Sequence, residues 1–128
     1  MVRIMHLTRK ALKDLVKNDP SLHVVNLTRS GKVCLVEPGA LVTKQGHQVI
    51  FANRTGDRLR MFFPEGGLFE ELKRTGPIVE VPAGGEVGRF TVSGDERKRT
   101  NVYPYAIFCA VNEDFAIASS NPEIIIDW

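Results

Sequence analysis

The residues with the widest chemical range in this chain are Cys34 and Cys109 and the histidines His6, His23 and His47. Thiolate and imidazole are the donors that hold copper or zinc, and a thiolate beside an imidazole is a nucleophile. No histidine is close in sequence to Cys109 to activate it. A single cysteine on an apolar strand is a small buried hydrophobe. Glu113 and Asp114 are hard oxygen donors, but two adjacent carboxylates without further oxygen ligands read as a solvated turn. Gly66-Gly67 and Gly84-Gly85 lack the Lys-Ser/Thr that would reach phosphate and magnesium, so they too read as turns. No catalytic constellation is visible, and no catalytic residue, metal ligand or cofactor is expected.

The 128 residues that must position these groups are 43% hydrophobic and 25% charged, with 17 Lys or Arg against 15 Asp or Glu. A chain this apolar and nearly neutral is not disordered, and at this length it buries a core without zinc or disulfide staples. Charges at Arg3, Arg9, Lys10, Lys13, Asp14, Lys17 and Asp19 leave no apolar stretch for a signal peptide. The chain therefore reads as cytoplasmic, and as exported only if a signal has been removed. In a reducing compartment both thiols are expected to be free. The charge-free stretch from Asn101 to Asn112 contains Pro104 and is too short to span a membrane.

Charge is uneven. The first 32 residues hold seven Lys or Arg against Asp14 and Asp19, whereas acids outnumber bases in the remainder. The basic residues are scattered without interleaved aromatics, which argues against nucleic acid and for a solvated helix face. Arg97-Lys98-Arg99 reads as an exposed loop tip.

Leu12, Leu15 and Val16 recur at helical spacing among Lys13, Asp14 and Lys17. With Thr8 as N-cap and Asn18-Asp19-Pro20 as the stop, a helix is expected over 8–18. From Leu22 onward the texture changes to short β-branched runs, with strands expected at 23–27, 32–37, 48–53, 60–63, 78–81, 88–92, 102–110 and 123–127. Gly-containing turns separate them, so the pattern implies an all-β two-sheet sandwich or a barrel. The connection 64–77 carries Leu68, Phe69 and Leu72 on a short amphipathic helix. These three either cover an open end of the sandwich or form an apolar partner-binding patch.

Cys34 and Cys109 on different strands invite comparison with an immunoglobulin bridge. The only tryptophan, Trp128, lies beyond both cysteines, and Ile107 stands where a tyrosine corner needs Tyr. A closer match comes from three segments together: Gly46-His47-Gln48-Val49-Ile50-Phe51-Ala52-Asn53; Val81-Pro82-Ala83-Gly84-Gly85 leading to Phe90 and Val92; and Tyr103-Pro104-Tyr105-Ala106-Ile107-Phe108-Cys109. Over residues 22–127 the chain resembles the cupredoxin family, although its cysteine comes two residues later than in that family's run. The resemblance implies a Greek-key two-sheet sandwich over 22–128, preceded by a helical extension over 1–21. It also implies Cys109 as the copper thiolate, with one histidine soon after Asn53 and another soon after the cysteine.

Neither histidine is present. Residues 54–60 read Arg54-Thr55-Gly56-Asp57-Arg58-Leu59-Arg60, and nothing from Ala110 to Trp128 is His or Met. Ser119-Ser120-Asn121-Pro122 occupies the last ligand loop as a polar turn. The chain thus resembles a cupredoxin that has lost its copper ligands. The expected function is a non-enzymatic, copper-free binding or interaction domain, with the alternative of a metal-binding or electron-transfer protein using an unorthodox ligand set. Its candidate binding residues are Arg58, Arg60 and Cys109 at the former metal pole and Leu68, Phe69 and Leu72 in the apolar patch. The expected partner is an unidentified protein, with no nucleic acid and no membrane.

Overall fold

The helix expected near the start of the chain forms as α1 (Arg9–Asn18). Thr8 caps it, its Oγ1 accepting the Ala11 N–H at 3.1 Å. The Asp19 N–H then closes on the Val16 carbonyl, and Pro20 cannot continue the ladder. Arg9 and Lys10 oppose the helix dipole in the first turn, so α1 depends on docking. Leu12 is buried against Leu22, Ile50 and Ala52, with Leu7, Leu15, Val16 and Val24 packed around that cluster.

The computed structural model describes residues 3–5, 7–31, 33–94, 101–109, 114–115 and 122–128. The strands before the long connection are β1 (Arg3–Met5), β2 (Leu22–Ser30), β3 (Val33–Glu37), β4 (Ala40–Thr43), β5 (Gln48–Asn53) and β6 (Leu59–Phe62). After it come α2 (Leu72–Thr75), β7 (Ile78–Val81), β8 (Glu86–Thr91), β9 (Val102–Pro104), β10 (Ala106–Cys109), β11 (Asp114–Phe115) and β12 (Glu123–Ile126). One sheet has five strands in the order β1-β8-β5-β2-β3. The opposing layer is built from a four-stranded sheet, β11-β10-β6-β7, and a three-stranded sheet, β4-β12-β9. β2 and β5 are parallel, as are β4 and β12; the other pairings are antiparallel.

Alternation sets the faces. Val25 and Leu27 of β2, Val49 and Phe51 of β5, and Val87 of β8 face one core, together with Leu59, Met61, Val79, Val81, Ile107, Ile124 and Ile126 from the other two sheets. β5 is buried on both faces, because its alternate residues Ile50 and Ala52 lie under α1. Gly88 permits the close approach of β8 to β5: a Cβ there would lie 3.1 Å from Ile50 Cγ1 and 3.2 Å from the Val49 carbonyl. The β5–β8 register shifts by one residue at this point, a bulge between the Val49–Phe90 and Phe51–Val87 pairs.

Each of the eight expected segments contains a strand, with Lys32 and Ala110 outside the described residues, but Tyr105 divides the run 102–110 into β9 and β10, which join different sheets. Three short strands were not anticipated: β1, β4 and β11. Ala40–Thr43 sits between turn residues and is held by parallel pairing to β12, a contact with a partner more than 80 residues away that local pattern does not report.

Candidate functional site

Asn53 ends β5 and organises the pole where the family resemblance places a ligand loop. Its Nδ2 donates to the carbonyls of Asp57 (2.7 Å) and Pro82 (3.0 Å). Its Oδ1 accepts from the N–H (3.0 Å) and hydroxyl (2.6 Å) of Thr55. Every polar atom of a fully buried amide is thereby used, and the 53–57 loop is fixed to the turn after β7.

The residues predicted at this pole do not converge. Arg58 is exposed on the loop, and Arg60, exposed on β6, pairs with Glu80 of β7 at 2.7 Å. The expectation of free thiols is corrected: Cys109 is joined to Cys34 by a disulfide. Both side chains point inward from facing sheets, Cys34 from β3 and Cys109 from β10, with Cα atoms 6.8 Å apart. The apolar patch is corrected too. Leu68, Phe69 and Leu72 are core residues, at most 4% exposed. Phe69 packs edge-on against Phe51 and Phe63 and tilted against Phe90, at centroid distances of 5.1–6.3 Å. Glu71 ties this segment down by accepting the Thr91 N–H and hydroxyl, so the three side chains close the end of the sandwich. His6, Arg97-Lys98-Arg99, Glu113 and Ser119-Ser120-Asn121 lie outside the described residues.

Two constellations were not anticipated. At the opposite end of β5, roughly 17 Å away at strand rise, His23 Nε2 and His47 Nδ1 are 2.9 Å apart and their rings stack. Burial, and then the neighbouring His47, lower the His23 pKa below its usual value. Among the described residues, no three His, Cys, Asp or Glu side chains group as a metal ligand set.

The second constellation lies on the outer face of the five-stranded sheet. Glu86, with no exposed surface, places Oε1 2.9 Å from Arg54 Nη1, and its Oε2 accepts the Leu7 N–H at 2.9 Å. Arg54 Nη2 and Glu86 Oε1 are both buried and have no hydrogen-bond partner among the described residues. Arg54 lines a groove of about 520 Å³ between α1 and the sheet. The helix contributes Leu12 and Val16 to its floor and Arg9, Lys13 and Lys17 to its sides; β2 contributes Val24, Asn26 and Thr28, and Glu37 is its lone acid. The sequence signal for this site was present but faint, an isolated acid in the apolar run Gly85-Glu86-Val87 and a basic helix face that was read as solvated.

The sequence matches no family model and no curated protein. Its shape does match solved structures of amicyanin. A Cu(I) amicyanin with a methionine-to-glutamine substitution aligns at TM-score 0.51 and 16% identity, covering 85% of each chain. A Cu(I) form with a methionine-to-alanine substitution aligns at 0.51 and 16%, covering 84% of this chain and 83% of the other. Amicyanin is a cupredoxin, and at this identity the likeness is one of fold: the chain is a cupredoxin-like β-sandwich carrying a docked helix.

Proposed function

We propose that this chain is a non-enzymatic, copper-free binding domain, and that its ligand site is the groove beneath α1. The observation that carries the reading is the groove's lining, an apolar floor of Leu12, Val16 and Val24 edged by Arg9, Lys13, Lys17 and Arg54 against Glu37. The groove lies within the size range of small-molecule sites.

The residues present do not fit type 1 copper. That site needs a thiolate and two imidazoles in one plane. Cys109 sulfur is engaged with Cys34, Arg58 occupies the loop where a histidine would be needed, and His23 and His47 lie at the other end of β5. The disulfide also supports function outside a reducing cytosol, in the exported form of the protein.

The test pairs two titrations. Cu(II) added to the protein should give no intense thiolate-to-copper absorption and no narrow hyperfine splitting; a blue stoichiometric species would overturn the copper-free reading. The amphipathic probe 1-anilinonaphthalene-8-sulfonate should bind saturably to the folded protein, and Lys13→Glu should weaken it. Unchanged binding in that variant would place the site elsewhere. A second reading, a metal-binding domain with an unorthodox ligand set, is favoured by the His23–His47 pair. It predicts nitrogen couplings in the Cu(II) spectrum that His23→Gln removes.

A further inference from the structure

We infer that the groove takes an amphipathic monoanion, an unbranched aliphatic carboxylate of medium length, with its head on Arg54 and its tail along α1. The inference rests on the reading of the groove as the ligand site and names the chemistry it selects.

The groove is polarised end to end. Leu7 bonds to Glu86, and Glu86 pairs with Ala52, so α1 begins near the Asn53 end of β5. The helix ends at Asp19, whose carbonyl accepts the Leu22 N–H at the start of β2. α1 therefore runs antiparallel to β2. Arg9 shares one end with Arg54, and Lys17 lies at the other. β2 repeats the gradient, because Leu27 pairs with Asn53: Thr28 and Asn26 lie toward Arg54, and Val24 lies toward the tail end. The start of α1 adds its positive dipole end to the head region.

Charge complementarity selects the head group. Glu86 pairs with Arg54 from beneath, and the exposed part of the guanidinium faces the groove at the same end as Arg9. Glu37, exposed on β3, pairs with Asn26 at the head end, where Arg9 and Arg54 outnumber it. A cation would meet Arg9 and Arg54 directly, and a neutral alcohol would forgo the charge-assisted bond. The floor of Leu12, Val16 and Val24 selects an aliphatic tail, which the stems of exposed Lys13 and Lys17 can cover. The ten residues of α1 span about 15 Å, a length suited to an extended dodecanoate. An acidic peptide would bring several charges to a site with one buried guanidinium.

The experiment is calorimetric titration of the full chain with dodecanoate below its micelle concentration, beside dodecanol, dodecyltrimethylammonium and acetate. Dodecanoate should bind one site per chain, and the other three should bind about tenfold more weakly or not at all. Lys13→Glu, at an exposed position, should weaken dodecanoate, as should Arg54→Gln combined with Glu86→Gln, a pair that avoids an uncompensated buried charge. Dodecanol binding as tightly as dodecanoate would overturn the anion selectivity, and full affinity in both variants would overturn the site. If dodecanoate fails while the naphthalene sulfonate still binds and Lys13→Glu weakens it, the carboxylate class is wrong and the groove reading stands. If neither binds, both fail.

Discussion

Glu86 holds Arg54 from beneath: a carboxylate with no exposed surface lies 2.9 Å from Nη1 of a guanidinium that itself lines the groove. Through its second oxygen the same carboxylate fastens the Leu7 amide, and so one side chain links β8, the end of β5 and the entry to α1.

Breaking this pair from one side is expected to be costly. Glu86→Leu leaves the Arg54 charge buried without its partner and should lose about 3–5 kcal/mol in urea unfolding. Replacing both residues by apolar ones should recover much of that loss. A double-mutant cycle with no coupling between the two positions would show that the pair does not act as a unit.

The Cys34–Cys109 bridge closes a loop of 75 residues between the two layers. On the loop-entropy estimate, converting both cysteines to alanine should cost about 4 kcal/mol. Thiol titration of the unreduced, denatured protein should find no free thiol. Two free thiols, with a midpoint insensitive to reductant, would contradict the bridge.

Stability should fall as pH drops through the histidine range. The His23 pKa is lowered in the folded state by burial and by His47, so the unfolded chain takes up that proton more readily. Unfolding then gains protons below about pH 6.5, and stability declines until folded His23 protonates as well. Above that pH both states are neutral and the contribution vanishes. Asp19, hydrogen-bonded to Ser21, and Arg89 are the charged neighbours of this end. The melting temperature at about pH 5.5 should lie on the order of a degree or two below that at about pH 7.5. In His23→Gln the difference should shrink; an unchanged difference would assign it to other groups.

α1 should contribute through packing. Leu12 is 5% exposed and sits on Leu22, Ile50 and Ala52, so Leu12→Ala should cost about 2–5 kcal/mol. Leu15, only partly buried, should cost less. Equal, negligible effects at both positions would mean that the helix does not dock in solution.

Much of the scaffold was legible because it is written in local chemistry. Thr8, the leucine spacing and Pro20 define α1, and short β-branched or apolar runs between turn residues define β5, β7 and β12 with errors of a residue or so at their ends. The motif from Gly46 to Asn53 was one of the three segments that carried the family resemblance, and its buried Asn satisfies four hydrogen-bonding positions by shaping the loop that follows.

What the chain alone could not decide is which distant side chains meet. Cys34 and Cys109 were known to be on strands, but the facing of two sheets turns them into a bridge. Leu68, Phe69 and Leu72 have the same pattern whether they cover a core or greet a partner, and only the ring contacts of Phe69 choose the first. His23 and His47, apart in sequence, meet because β2 and β5 pair in parallel. Arg54 and Glu86 meet because β5 and β8 are neighbours under a helix that local periodicity could form but not place. Periodicity and capping act over a few residues and are carried by the sequence itself. Register between layers, and with it every candidate site in this protein, is set by long-range packing.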